Sequence, residues 1–239
     1  CGSSTGGNFN NTGNAVGTIT RSNTTQTTYT CSYTSAGVKT ISFESSNVTA
    51  YNTSNATPAI NFSGNTMVAA LNGDLTLLFP HLGTNSIKHH RFPGAFKNCT
   101  NLTHIPATLF ENLTTSGSSS YTFYQTFYGC TSLTFLPNKL FGSPGLAVVG
   151  SYGFYEIFSG CRGLTALPSG LFQNVTGNGS SLFGYAFYGC RGLTAIPKDL
   201  FAGITVGRTS MFVSTFENCT GLNTTISNKL FGSITTNTT

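Results

Sequence analysis

Apolar residues in the second half of the chain recur at fixed distances from a cysteine, in five copies between residues 92 and 231. Phe lies seven and three residues before each of these cysteines, and Leu lies three residues after it. In the first four copies Ile or Leu and then Pro follow at plus six and seven, and Leu-Phe follows at plus ten and eleven. Separations of 31, 31, 29 and 29 residues predict a repeat fold in which each copy buries its apolar residues against its neighbours. The cysteines that define repeats 1 to 5 are Cys99, Cys130, Cys161, Cys190 and Cys219.

Positions within a repeat are counted from its cysteine. Phe at positions −7 and −3 are four residues apart and are expected to share one face of a helical turn. The Thr-rich segment from +3 to +6 predicts a brief strand, which the following Pro ends. The cysteines and the Phe at −3 are expected to form a structural core ladder across the repeats. That row comprises Phe96, Phe127, Phe158, Phe187 and Phe216.

The run A-F-x-x-C-x-x-L-x-x-I-P at residues 95–106 recurs at residues 186–197. It resembles the BspA-type leucine-rich repeat of bacterial surface proteins. The resemblance covers roughly residues 67–234 and implies an α/β repeat solenoid of leucine-rich-repeat type, with five regular coils of 29–31 residues. Two departures stand out: the units are lengthened by stretches such as residues 173–180, and the last copy is shifted by one residue with Ser227 in place of Pro. A degenerate last copy is typical of a terminal cap.

The first 66 residues follow a different pattern. Tyr29, Cys31 and Tyr33 alternate with polar residues, and Ile41 and Phe43 do so after a Ser-Ala-Gly turn, which predicts a β-hairpin. The residues before it are mainly Gly, Ser, Asn and Thr and predict a flexible tail. The predicted segments are a polar tail at 1–26, a β-hairpin region at 27–66, the solenoid at 67–234 with an irregular cap at 67–88, and a polar tail at 235–239.

Composition narrows the classes of partner. Only 7% of the residues are charged, against about a quarter in typical domains, so Thr, Asn, Ser and Gly supply the polar surface. The formal net charge of +5 is spread over 11 basic residues without a run. Nucleic acid is therefore not an expected partner.

The seven cysteines do not form a disulfide framework. Five are expected to be buried free thiols, and no C-x2-C pair suggests a metal site. Adjacent His89 and His90, even with His104, seldom reach one ion, so no metal and no cofactor are predicted. Cys1, followed by Gly-Ser-Ser-Thr-Gly-Gly, resembles the lipidated residue of a mature bacterial lipoprotein. A trimmed chain, or a disulfide between Cys1 and Cys31 within or between copies, are the alternatives.

Side chains at equal positions in successive repeats are expected to align into stripes. Arg162 and Arg191 share position +1. Two pairs of tyrosines align in repeats 2 and 3, and they either cover the helical-turn layer or form a recognition face. These pairs are Tyr121 with Tyr152 at −9, and Tyr124 with Tyr155 at −6.

Catalysis has little support in the sequence. None of the six acidic residues pairs in a repeat-compatible position, and no G-x-S-x-G motif occurs. The resemblance implies a non-catalytic extracellular or cell-surface protein that mediates adhesion or protein–protein binding. Its partners would be a host or microbial surface protein or glycan, or other copies of itself, with membrane attachment only through a lipid on Cys1. The alternative is a self-assembling structural subunit of an extracellular filament or surface layer, joined head to tail through the N-terminal segment.

Overall fold

A computed structural model gives the structure of the chain, which divides into two compact units. The smaller unit comprises residues 1–51 and 77–80, and the larger comprises residues 52–76 and 81–239. The part of the chain that the structure describes contains no α-helix and no helix long and apolar enough to cross a membrane. The described residues are 8–11, 15–19, 29–33, 41–44, 61–78, 92–113, 120–142, 149–231 and 234–236.

The smaller unit contains two antiparallel pairs of strands. In the first, Phe9 lies opposite Phe43, and in the second Gly17 lies opposite Cys31. The strands are β1 (Asn8–Asn11), which pairs with β4 (Ile41–Glu44), and β2 (Ala15–Ile19), which pairs with β3 (Tyr29–Tyr33).

The predicted hairpin is wrong in its pairing. Strands occur where the alternation placed them, yet β3 and β4 pair with β2 and β1 and not with each other. Residues 1–26, expected to be a polar tail, supply both partners. The alternation of apolar and polar residues specifies the two faces of a strand, but it does not specify the strand with which it pairs. The pairing could therefore not be predicted from the local sequence.

In the larger unit, each repeat begins with a segment that is not the expected helical turn. In repeat 2 the N–H of Thr126 donates to the carbonyl of Phe123 at 3.1 Å, which closes a four-residue turn. The neighbouring N–H of Phe127 instead donates to the carbonyl of Ile157 in repeat 3 at 3.0 Å. Alternate N–H groups therefore bond within the repeat and across to the next repeat. We call the ten residues from position −9 to the Cys the turn ribbon.

Positive φ angles explain why this segment is not a helix. In repeat 2 the φ of Tyr121, Gln125 and Gly129 is 57°, 55° and 70°, whereas an α-helix needs about −63° at every residue. The same positions, −9, −5 and −1, have positive φ in repeats 3, 4 and 5. One left-handed residue in every four redirects the chain, and thereby turns every second N–H towards the neighbouring repeat.

The cross-repeat bonds of the ribbon are the same at each junction from repeat 2 to repeat 5. The N–H groups at −9, −7, −5, −3 and −1 donate to the carbonyls one position earlier in the next repeat. Between repeats 3 and 4 the donors are Tyr152, Phe154, Glu156, Phe158 and Gly160, at 2.8 to 3.1 Å. Within the ribbon these bonds occupy the backbone donors that a helix would have used internally.

Three rows of Phe rings fill the core between the ribbon and the rest of the repeat. Within each row the ring centroids of neighbouring repeats lie 5.3–6.1 Å apart with nearly parallel planes. Phe172 at position +11 also meets Phe154 and Phe183 edge-on, at 5.0 and 4.9 Å. Since edge-on contact is a preferred aromatic geometry, this row fixes the spacing of its neighbours.

Residues +1 to +11, here called the return segment, contact the adjacent repeat more sparsely. No strand is assigned at the expected positions in repeats 1 to 4. At the junction of repeats 3 and 4, the N–H of Thr194 donates to the carbonyl of Thr165 at 3.1 Å, and its hydroxyl donates to the same oxygen at 3.1 Å. Backbones approach closely here, because a Cβ added at Gly192 would lie 2.7 Å from the carbonyl oxygen of Arg162.

The regular stacking begins earlier than residue 67. Phe62 stacks on Phe96 at 5.7 Å, and its N–H donates to the carbonyl of Ala95, as a Phe at −3 does in every junction described. Gly64 has a φ of 74°, like the glycines at −1, and Asn65 takes the place of the cysteine. Residues 61–66, expected in the β-hairpin region, are therefore a leading coil. Its divergent residues hid it from the sequence pattern.

A short parallel pair of strands joins the segments before and after the last repeat. β5 (Val206–Gly207) pairs with β6 (Thr235–Thr236), so the predicted polar tail at 235–239 begins as a strand. Two short 3-10 helices complete the described elements, at Leu75–Leu78 and Asn228–Phe231. The second places Phe231 against Phe201 at 5.9 Å despite the one-residue shift of this repeat.

Candidate binding surface and the open end of the repeats

Tyrosine side chains on the turn ribbons form a continuous surface across repeats 2, 3 and 4. The two predicted stripes stack, with ring centroids 4.9 Å apart for Tyr121 and Tyr152 and 5.6 Å apart for Tyr124 and Tyr155. Within each repeat the two stripes are also in ring contact, at 5.5 and 5.4 Å. All of these rings are half-buried. The tyrosine surface comprises Tyr121, Tyr124, Tyr152, Tyr155, Tyr185 and Tyr188.

Repeat 4 extends this surface with residues that the sequence stripes did not include. Tyr155 contacts Tyr185 at 5.5 Å, and Tyr185 contacts Tyr188 at 5.8 Å. Tyr185 is at −5, where the other repeats carry different residues, so no stripe marked it. Gly184 makes room for this arrangement, because a Cβ there would lie 2.8 Å from the ring of Tyr155.

Glu156 lies beside the tyrosine surface. Its side chain accepts a hydrogen bond from the amide of Gln125, and that amide's oxygen accepts one from Lys97 Nζ at 2.8 Å. Burial raises the pKa of Tyr124 and Tyr155, and the negative charge of Glu156 raises both further. The carboxylate therefore acts electrostatically on both rings.

Arg162 and Arg191 are both exposed at the first position of the return segment. Their backbones stack in order, because the carbonyls of both residues lie against a glycine of the next repeat. No hydrogen bond, ion pair or ring contact joins either guanidinium to the tyrosine surface in the part of the chain that the structure describes. The arginine stripe and the tyrosine stripes are thus separate candidate sites.

The five repeat cysteines are free and buried. Each thiol donates to the carbonyl of the Phe at −3 in the preceding coil, as Cys161 does to Phe127 at 3.1 Å. Burial raises the pKa of Cys99 to about 11, and burial with the neighbouring thiols raises the pKa of Cys161 well above its usual range. Neutral thiols of this kind are poor nucleophiles and act here as packing groups.

The remaining candidate residues are only partly described. Cys1, His89 and His90 lie outside the described residues, and Cys31 lies in β3. His104 is half-buried, and its ring lies 6.1 Å from that of Phe135. No group of three or more metal-ligating side chains occurs among the residues described.

The last turn ribbon, residues 210–219, ends the ladder of cross-repeat bonds. The five N–H groups that donate onwards in repeats 2, 3 and 4 have no acceptor here within the described structure. The side chain of Val213 is exposed on this ribbon, and Phe212 and Phe216 are half-buried. This is a third candidate site, built from backbone donors that no sequence motif marks. The donors are Ser210, Phe212, Ser214, Phe216 and Asn218.

Comparison of the chain with protein-family models, with curated proteins and with solved structures finds no match. The candidate sites therefore stand on their own geometry. They are the tyrosine surface with Glu156, the arginine stripe, and the open face of the last ribbon.

Proposed function

We propose that the protein is a non-catalytic extracellular or cell-surface protein of leucine-rich-repeat type, and that it binds a surface protein or glycan through its tyrosine surface. The observation that carries this proposal is the continuous array of six half-buried Tyr rings. Tyr side chains combine a large apolar face with a polar tip, and they are enriched at binding interfaces.

The regular hydrogen bonding between turn ribbons supports a binding function as well as the fold. Five backbone bonds per junction hold the ribbon in place, so its outward side chains contribute to a surface whose geometry is already fixed. A preorganised surface loses less conformational entropy when it binds. The repeat arrangement that the sequence predicts as a solenoid presents such side chains in rows.

Attachment assays on immobilised extracellular proteins and glycans test this function. We expect the double substitution Tyr124→Ser with Tyr155→Ser to abolish the attachment that the unchanged protein shows, while its thermal unfolding stays cooperative. The control is Gln173→Ser with Lys198→Ser, which alters two exposed residues outside the turn ribbons. Equal attachment by all three proteins would refute the tyrosine surface as the binding site.

Head-to-tail self-assembly is the second candidate function, and the open face of the last ribbon favours it. A row of unpaired backbone donors beside exposed apolar groups is a template for strand addition. A contact between unlike faces of two copies repeats into a filament unless it closes into a ring. The N-terminal segment of another copy is the proposed occupant.

Sedimentation velocity and electron microscopy distinguish this second candidate from the first. Deletion of residues 1–26, or the substitution Val213→Glu on the open face, should each reduce long assemblies to single copies. The double tyrosine substitution should leave the assemblies intact. Assemblies that survive both changes to the joint, or an unchanged protein that stays monomeric at high concentration, exclude this mode of assembly.

A further inference from the structure

Glu156 places a negative charge beside the tyrosine surface. It is half-buried, and among the described residues the one side chain that donates a hydrogen bond to it is the neutral amide of Gln125. No Lys, Arg or His lies within ion-pair distance of it among the described residues. A carboxylate partly removed from water and not paired with a cation leaves a local negative potential, which a cation can neutralise.

The rings beside this carboxylate add to the attraction for a positive charge. The faces of Tyr rings carry negative potential and attract cations within about 6 Å of the ring centroid. Tyr124 and Tyr155 lie in the electrostatic field of Glu156, and Tyr185 is in ring contact with Tyr155. A carboxylate next to a row of tyrosine rings favours an ammonium or guanidinium group over an anion or an uncharged sugar.

The chain itself holds one cation on the same row of side chains. Lys97 Nζ lies 5.0 Å from the ring centroid of Tyr128 and donates to the side-chain oxygen of Gln125. One repeat further along, Glu156 replaces Gln125 at position −5, and Ser159 replaces Tyr128 at position −2. The hydrogen-bond acceptor at position −5 therefore carries a charge in repeat 3, and no cation among the described residues pairs with it.

We propose that the tyrosine surface around Glu156 recognises cationic side chains, and that its partner is a protein segment rich in Arg or Lys. This inference rests on the binding function proposed above and names the partner of that same site. The chain has a formal net charge of +5, so general attraction does not explain such binding. The attraction for a cationic partner must therefore come from local contact with the Glu156 carboxylate and the neighbouring Tyr rings.

A pair of peptides provides the test. The first alternates Arg and Gly, and the second carries Gln in place of every Arg. Calorimetric titration should show binding of the arginine peptide and none of the glutamine peptide, and the affinity should fall as salt is raised. Glu156→Gln should weaken binding about fivefold, in line with a partly exposed charge pair.

The matched control is Asp199→Asn, which removes the same charge from an exposed site on the return segment of repeat 4. It should leave the affinity for the arginine peptide unchanged. Equal weakening by Glu156→Gln and Asp199→Asn would reduce the effect to net charge and overturn the inference. Equal binding of both peptides to the unchanged protein would overturn it as well.

A measurement without ligand checks the position of the charge. Ultraviolet titration should show that Glu156→Gln lowers the pKa of Tyr124 and Tyr155, with burial still holding both above the ordinary value. Unchanged tyrosine titration would mean that the carboxylate does not face the rings, and the site would be absent.

Failure of the inference is separable from failure of the proposed function. Suppose that the arginine peptide does not bind, while the double tyrosine substitution still abolishes attachment to immobilised proteins or glycans. The surface then binds an uncharged or anionic partner, and only the inference fails. If the tyrosine substitutions do not affect attachment, the proposed function fails with it.

Discussion

The two halves of each repeat are joined to the next repeat by different means. The turn ribbon uses five backbone hydrogen bonds per junction between repeats 2 and 5, whereas the return segment uses few. The alignment of the return segments depends instead on the Phe at +11 and on the close approach of backbones at glycines such as Gly192. The ribbon therefore tolerates varied outward side chains, as at position −5, while the return segment depends on the size of particular residues.

Alkaline pH should disrupt the ribbon half most strongly. Its five thiols have raised pKa values in the folded protein, for Cys99 to about 11. Their stabilising contribution is fully present below the ordinary thiol pKa of 9.0 and is lost as pH rises through the folded values. One unit above the ordinary value, a thiol whose folded pKa lies well above that pH costs about 1.4 kcal/mol, so the five thiols together cost several kcal/mol.

Denaturant unfolding at a series of pH values measures this loss. A free energy of unfolding that stays constant through this range would mean that the thiols reach solvent in the folded protein. Thiol labelling of the native protein near neutral pH provides the control. It should be slow, and it should become fast when denaturant is added.

Phe158→Ala removes a ring from the middle of the row at −3 and should cost about 3–5 kcal/mol through the cavity it leaves. Its ring stacks on Phe127 and Phe187 at 5.5 and 5.7 Å and is fully buried. Phe135→Ala, at a half-exposed ring of a return segment, is the control and should cost far less. Chemical denaturation compares the two, and similar losses would contradict the core described here.

Gly192→Ala tests the close approach in the return segment. The added Cβ would lie 2.7 and 2.8 Å from the carbonyl oxygens of Arg162 and Leu164, so the backbones must move apart. We expect a loss of about 1–3 kcal/mol, as for other overpacked sites. Ala195→Gly, nearby at an exposed position, should change the midpoint of thermal unfolding much less. If Gly192→Ala left the stability unchanged, the return segments would be loosely joined.

Gly160→Ala isolates the backbone conformation of the ribbon and should have the smallest effect. The φ of Gly160 is 73°, and the atoms nearest to an added Cβ lie 3.8 Å away. The expected loss of about 1 kcal/mol is therefore conformational, without a steric clash. Conversely, Ser210→Gly places the permissive residue at a φ of 54° and should be close to neutral. A large loss from Gly160→Ala would indicate a contact that the structure does not contain.

The sequence placed the apolar rows correctly because burial follows directly from residue type and period. The Phe at −7 and −3, the Cys and the Leu-Phe pairs lie in or at the edge of the core. The sequence pattern wrongly predicted a helical turn in the ribbon, because a four-residue spacing of apolar residues fits a helix and also fits turns that repeat every four residues. Gly129, Gly160 and Gly189 at −1 were the available signal for positive φ. The other left-handed positions carry Tyr, Gln, Glu, Ser or Asn, which conceal it.

Sequence alone determined the period, the number of regular copies and the rows that face the core, because these depend on side-chain hydrophobicity at fixed intervals. Tertiary structure decided which backbone groups bond to which. It paired β3 with β2, extended the stacking to Phe62, and brought Glu156 beside Tyr124. Each of these outcomes joins residues distant in the chain, and hydrogen-bond partners and local potentials are set by such neighbours.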